Sequence, residues 1–165
     1  MIVMKVKKLN SIHFEEITVE TLYIAVEIIN SNPEYNQLEN GKERRNLREV
    51  EDDLLNGRTK SLFIKLDDTY IGIIDYLLLN EKDQCPWLGL LMIHADYQGF
   101  GFGRQAYLIF EKEMVEKGLR VLRIGVLKEN HTAQRFWHSV GFEYFKTART
   151  NHAKEVDCYE KKVKN

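Results

Sequence analysis

Three glycines in alternation, Gly99, Gly101 and Gly103, follow the apolar run Leu90-Leu91-Met92-Ile93 and the polar link His94-Ala95-Asp96-Tyr97-Gln98. Glycines at this spacing let backbone N–H groups turn toward one point. A helix starting behind them adds unpaired N–H groups and the positive end of its dipole. The chemistry is that of an anion cradle for a phosphate or pyrophosphate. Arg104 stands in the first turn of that helix, where a cation opposes the dipole by roughly 0.3–1 kcal/mol. A phosphate nearby offsets that cost; a solvated arginine bears it.

The elements that must hold this cradle are readable from periodicity. Ile2 to Leu9 alternates apolar and basic residues as a strand does. Glu20 to Asn30 is a helix with Leu22, Val26 and Ile29 on one face, stopped by Asn30-Ser31-Asn32-Pro33. A polar stretch follows. Arg44 to Asn56 is a second helix, with Leu47, Val50 and Leu54 inward and Gly57 at its end. Ser61–Leu66 and Tyr70–Asn80 are strands joined by an Asp67-Asp68 turn. Trp87–Ile93 is almost wholly apolar, which predicts a strand buried on both faces. Gly103–Lys117 is a helix, Arg120–Leu127 a strand, Thr132–Val140 a short helix, and Phe142–Thr147 and Val156–Lys162 two last strands. The order β-α-α-β-β-β-α-β-α-β-β predicts an α/β fold of the α+β type. Its sheet is mixed, mostly antiparallel and twisted, with about seven strands. One parallel pair flanks the glycine-led helix, and helices cover both faces.

The chain of 165 residues fits a single domain spanning 1–165, with no repeat or linker to divide it. A net charge of −1 argues against a broad nucleic-acid surface. No apolar run approaches the ~20 residues of a membrane span, and the early Lys5 does not suit a signal peptide. Two distant cysteines, Cys85 and Cys158, form neither a metal motif nor a disulfide framework, which predicts free thiols in a reducing cytoplasm. The five histidines show no ligand spacing, so no metal is expected.

Gly101-Phe102-Gly103-Arg104-Gln105-Ala106 formally matches the dinucleotide fingerprint, with Glu129 as its acid. The context does not: Ile93 lies eight residues before Gly101, and about sixty residues remain for a second half-fold. A longer pattern fits better. Gln98-Gly99-Phe100-Gly101-Phe102-Gly103 has the form Gln/Arg-x-x-Gly-x-Gly/Ala. Roughly thirty residues on comes Asn130-His131-Thr132-Ala133-Gln134-Arg135-Phe136-Trp137-His138-Ser139-Val140-Gly141-Phe142. Together these resemble the two motifs of the GCN5-related N-acetyltransferase (GNAT) superfamily, and the element order is that family's.

The resemblance implies a sheet splayed between its fourth and fifth strands, with acetyl-CoA (coenzyme A carrying the acyl group) inserted there. Backbone groups of Leu91, Met92 and Ile93 would hold the pantetheine and polarise the thioester. Backbone N–H groups of Phe100, Gly101, Phe102, Gly103 and Arg104 would hold the pyrophosphate, with Gln98 and Gly99, and Asn130, Phe136 and Trp137 of the second motif, also among the cofactor-binding residues. Phe100 and Phe102 are expected to pack beneath the loop. Gly89 suits a bulge in the fourth strand or simple close packing. Asn130 suits a helix cap as well as a bond to the cofactor arm. Ala133, Phe136, Trp137 and Val140 form a core stripe in their own right.

The implied function is transfer of an acetyl group to an amine of a small molecule or peptide by direct attack, by an enzyme of a family that often forms homodimers. A non-catalytic acyl-CoA-binding sensor or interaction module is the rival. Trp137 keeps that rival open, because it stands where a proton-donating tyrosine is often found, and an indole N–H is no practical acid. Water, Tyr144 or His138 are the substitutes in view. For the base, the fourth strand offers no carboxylate between Trp87 and Ile93. Asp75 is the candidate general base, set among apolar residues of the third strand where burial would raise its pKa. A structural aspartate held by nearby donors is the alternative. Glu34 and Tyr35 could line the acceptor side, shaped by loops at about 30–43 and 148–155.

Overall fold

The strand that carries the cradle, β4 (Cys85–Ile93), is paired along one edge with β3 (Thr69–Asn80) and abandoned along most of the other. Its parallel partner β5 (Val121–Leu127) meets it only at Trp87↔Arg123 and Leu88↔Ile124. Between Asp75 and Tyr76 the β3–β4 register slips: Asp75 faces Leu90 and Tyr76 faces Leu88, so Gly89 is the extra residue of a bulge. A bulge bends its strand, and here the bend turns β4 away from β5. An added Cβ at Gly89 would meet only the Asp75 carbonyl oxygen, at 3.5 Å. The bulge, not a lack of room, is what distinguishes this position.

In this computed structural model, which describes residues 11–150 and 153–164, the sheet runs β1-β2-β3-β4-β5-β7-β6. Its remaining strands are β1 (Ile12–Glu16), β2 (Lys60–Leu66), β6 (Glu143–Arg149) and β7 (Glu155–Lys162). All neighbours are antiparallel except β4 and β5, the mixed seven-stranded sheet expected. The strand expected at Ile2–Leu9 lies outside the described residues; the first described strand is β1.

Two apolar clusters cover opposite faces. On one, α4 (Phe102–Glu116) presents Ala106, Tyr107, Phe110 and Met114, and α5 (His131–Ser139) presents Trp137 to Ile74, Tyr76, Leu122 and Ile124. On the other, α1 (Leu22–Asn30) and α3 (Leu47–Leu54) bury Leu22, Ala25, Ile28, Val50 and Leu54 over Phe63, Ile73 and Met92.

Three expectations are corrected. The polar stretch after Asn30 contains a helix, α2 (Pro33–Asn40). Pro33 opens that helix at its first turn, where its missing N–H costs nothing, and Gly41 closes it at φ +74°. Leu47 is not inward but 52% exposed, because Asn46 caps α3 just before it and leaves it on the first, outer turn. β4 is not buried on both faces: Leu88 and Met92 are buried, while Gly89 is exposed and Leu90, Leu91 and Ile93 are half-buried, since the splay opens that side to a cleft.

Candidate active site

The cradle is built as its residue types dictate. Gly99 and Gly101 take φ of +86° and +82°, conformations that side-chain-bearing residues rarely adopt. Among the described residues, none of the backbone N–H groups from Gly99 to Arg104 finds an acceptor within the chain; the next, that of Gln105, donates to the Gly101 carbonyl at 3.1 Å. A fan of unpaired donors at the start of a fifteen-residue helix fits a pyrophosphate.

The cradle is anchored to β4 through Gln98. Its Nε2 donates to the Ile93 carbonyl at 2.8 Å and to Asn32 Oδ1 at 2.6 Å. Asn32 Nδ2 donates to the same carbonyl at 3.2 Å, and the Ala95 N–H donates to Ser31 Oγ at 3.0 Å. Ser31 and Asn32, at the α1–α2 corner, thus belong to the cleft, although in the sequence their only signal is that of polar residues that stop a helix.

On β4 the backbone alternates. The His94 N–H donates toward β3, to the Ile71 carbonyl, at 2.7 Å. Antiparallel alternation therefore turns the polar groups of Leu91 and Ile93 to the other edge, where β5 has departed. The Ile93 carbonyl confirms the direction by accepting Gln98 and Asn32 there. Leu91 is left with unpaired backbone groups facing the opening, suited to an acyl carbonyl.

Cradle and splay open on one cleft of about 1070 Å³, lined by Leu91, Met92, Ile93, Gln98, Gly99, Gly101 to Arg104, Asn130, Phe136 and Trp137. Of the expected cofactor residues only Phe100 is missing from this wall. Phe100 is 67% exposed, its ring centroid 6.0 Å from that of Phe102, so it does not pack beneath the loop. Set between two glycines of positive φ, Phe100 is turned out to solvent. Phe102 does pack inward, against the larger core cluster. Arg104 is exposed and reaches the Ser139 carbonyl at 3.3 Å, a contact that ties α4 to the end of α5 from the cleft wall.

Asn130 caps α5: its Oδ1 accepts from the Ala133 N–H at 3.1 Å. Asn130→Ala should therefore cost about 1 kcal/mol in urea unfolding, and Asn130→Asp much less. Equal losses in the two variants would show that the side chain does something other than cap. Trp137 is buried, packed edge-on against Phe136, Tyr107 and Phe142.

A second, smaller cavity of about 110 Å³ lies in the splay itself, lined by Leu88 to Leu91, Ile124 to Leu127, Trp137 and, from α2, Tyr35 and Glu39. Lys154 holds the end of α2 over it, its Nζ donating to the carbonyls of Leu38 and Glu39 at 2.7 and 2.8 Å. The two loops expected to shape an acceptor pocket are thereby joined. Burial pushes the Tyr35 phenol well above its ordinary value. Burial also raises the Glu39 carboxyl, although its outer edge is open to solvent and Lys154 and Arg45 pull the other way.

Asp75 lies elsewhere. It lines neither cavity. Its side chain, 7% exposed, points beneath α3, where Oδ2 lies 3.2 Å from the Thr59 hydroxyl and 3.1 Å from that of Ser61. Desolvation pushes its pKa up to about 6, against the two hydroxyls that lower it. Its burial was legible in the sequence; its separation from the cleft was not. The suggested acids fare likewise. Tyr144 and His138 are exposed and line neither cavity, and the Tyr144 hydroxyl is 2.8 Å from Thr147 Oγ1. Among the described residues no three His, Cys, Asp or Glu side chains gather as a metal site, and no helix is long and apolar enough to cross a membrane.

A splayed parallel pair beside a glycine cradle defines an acyl-CoA-dependent transferase architecture. Residues 25–142 match the acetyltransferase (GNAT) family, and the chain belongs to it. It is an enzyme of a family that uses acetyl-CoA. Solved structures agree in fold. An acetyltransferase from Thermus thermophilus superposes with a TM-score of 0.80 at 24% identity, covering 94% of this chain and 99% of that one. The ribosomal-protein-S18-alanine N-acetyltransferase from Escherichia coli gives 0.68 at 14% identity, with 94% and 96% covered. Spermidine N-acetyltransferase from Vibrio cholerae, solved with CoA and spermine, gives 0.70 at 14% identity, with 92% and 95% covered. No curated protein matches the chain.

Proposed function

We propose that this protein transfers the acetyl group of acetyl-CoA to a primary amine of a small molecule or peptide, by direct attack. The observation that carries the proposal is the meeting of two spaces at the splay. The large cleft has the unpaired donors a pyrophosphate needs. The small cavity shares with it the same stretch of β4, at Leu91. An amine entering the small cavity and a thioester lying along β4 would share the point where Leu91 has free backbone groups. Holding both there supplies the proximity on which direct transfer depends.

An amine is mostly protonated at neutral pH and must lose a proton to attack. Glu39 is the carboxylate that lines the small cavity, and its raised pKa suits it to that task better than Asp75, which lines neither space. Neither Cys85 nor Cys158 lines either cavity, which favours direct attack over a cysteine intermediate. The acceptor reading is supported in kind by two proteins of like fold whose names give an alanine of a ribosomal protein and the polyamine spermidine as acceptors.

The test is free-thiol release from acetyl-CoA across a panel of amino acids, polyamines and peptides, with product mass confirming acetylation. At least one amine should raise release well above the hydrolysis background. Tight CoA binding with no amine-stimulated release would point instead to the sensor or interaction module.

A further inference from the structure

We infer that Tyr35, on α2, donates the proton to the departing CoA thiolate, taking the part that Trp137 is chemically unable to play; this rests on the acetyltransferase reading above. Five residues line both cavities: Tyr35, Leu91, Asn130, Ala133 and Trp137. The C–S bond that breaks must lie where donor and acceptor spaces meet, so its proton donor must come from this set or from water. Leu91 and Ala133 have no proton to give. Asn130 spends its Oδ1 on the α5 cap and is an amide. Trp137 has an indole N–H, a hydrogen-bond donor but not a practical acid. Tyr35 alone carries a titratable side chain.

Its setting agrees with that role. The half-buried ring packs against the α1–α3 cluster, so the phenol is held rather than swinging free. Burial disfavours the phenolate, and Glu39, one turn along the same helix, disfavours it further; Arg45 opposes and Asp53 adds to them. Tyr35 therefore enters each cycle protonated. Tyr107, the other phenol near Trp137, is fully buried among the rings of α4 and α5 and lines neither space.

The proton inventory closes. Glu39 takes one proton from the ammonium, leaving a free amine. The nitrogen lone pair forms the C–N bond at the thioester carbonyl, and the carbonyl oxygen takes up charge beside Leu91. As the carbonyl re-forms, the C–S bond breaks with its electron pair on sulfur, and Tyr35 protonates that sulfur. Because burial makes the phenol a weak acid, the transfer is a relay: as Tyr35 gives its proton to sulfur it takes one from the now cationic nitrogen, and no free tyrosinate is left. The products are the amide, CoA thiol and one proton, released to solvent from Glu39.

The test is Tyr35→Phe, assayed with acetyl-CoA and the best primary amine of the panel, alongside CoA affinity by calorimetry. We expect kcat to fall by roughly 10²-fold, in the range of general acid–base catalysis, with CoA affinity and the acetyl-CoA KM within threefold of wild type. Adding Trp137→Tyr should restore at least part of kcat, since it returns a phenol to the same junction; a merely structural defect would not be repaired there. An unchanged kcat in Tyr35→Phe overturns the assignment, as does a loss of CoA affinity that accounts for the whole effect. If wild type itself turns over no amine while binding CoA, the acetyltransferase reading fails and the assignment falls with it.

Discussion

Gly101→Glu is expected to weaken CoA binding by roughly 100-fold or more while the protein remains folded. The position is open: a Cβ added at Gly101 meets nothing within 4 Å, so the substitution crowds no neighbour. Two costs remain. The first is the backbone, since φ of +82° is disfavoured for a residue with a Cβ by about 1–2 kcal/mol. The second is charge. A carboxylate set among donors that would otherwise face a pyrophosphate repels that group by about 1 kcal/mol in bulk water and about 4 at a partly shielded distance of 4 Å. Tenfold in affinity is 1.4 kcal/mol, so a hundredfold loss falls inside that range. Gly101→Ala separates the two, because it carries the backbone cost without the charge; its affinity should fall less than tenfold. High salt should narrow the gap between the glutamate and alanine variants, as it does for exposed charges. Isothermal calorimetry with CoA at two ionic strengths reads all of this. Wild-type affinity in Gly101→Glu would remove the phosphate from the cradle.

The cradle was legible because its physics is local. Alternating glycines, a following helix and a preceding apolar strand sit in one continuous segment, and no distant residue is needed to see what the N–H groups must do. The same holds for the α5 motif, where Asn130 and the Ala133, Phe136, Trp137 and Val140 stripe announce a capped amphipathic helix. The acceptor side was hidden for the opposite reason. α2 has no apolar stripe to betray it: its one buried residue is Asn36, whose Nδ2 donates to the Ile29 and Glu43 carbonyls at 2.9 and 3.0 Å. Inward polarity satisfied by distant carbonyls cannot be seen in a periodicity. Pro33 reads equally as the end of one helix or the start of the next. With α2 unseen, Glu34 and Tyr35 were only loop residues, and Glu39 had no place at all.

β3 departs from simple alternation through an irregularity. Strict alternation would set Asp75 on the face of Ile71 and Ile73. Ile64 pairs with Gly72 and Lys65 with Tyr70, so Ile71 is an extra residue and joins the opposite cluster. Ile73 and Asp75 remain together on the α1–α3 face. A carboxylate beneath α3 is buried for reasons unconnected with the cleft. Burial in a strand next to β4 was a correct inference; proximity to the chemistry required the register and the side to be known as well.

Asp75→Asn should stabilise the protein at pH 8, leave it nearly unchanged at pH 4, and leave turnover within about threefold of wild type. The hydrogen bonding explains why the neutral form fits. The Ser61 hydroxyl lies 2.8 Å from the Leu54 carbonyl and 3.1 Å from Asp75 Oδ2, and its single proton serves only one of them. When Ser61 donates to Leu54, a protonated Asp75 can donate to Ser61, and both contacts are made. Ionised, the carboxylate competes for that proton, and its other oxygen, Oδ1, is buried without any partner. The folded pKa, about 6, is above the ordinary value of 3.8. The stability this group contributes is therefore fully present below about pH 4 and is lost as pH rises through 6, a swing of roughly 2–3 kcal/mol. An asparagine cannot ionise, so the variant escapes the loss. Carboxyls with lowered pKa values, such as Asp83 held by Trp87 and Arg123, lose stability toward acid instead. The decisive quantity is accordingly the difference between variant and wild-type urea unfolding free energies, followed from pH 4 to pH 8. That difference should open between pH 4 and 6 and then level off. Parallel curves would mean that Asp75 does not titrate there. A collapse of kcat with loss of the acid limb of the rate profile would instead return Asp75 to the reaction as its base.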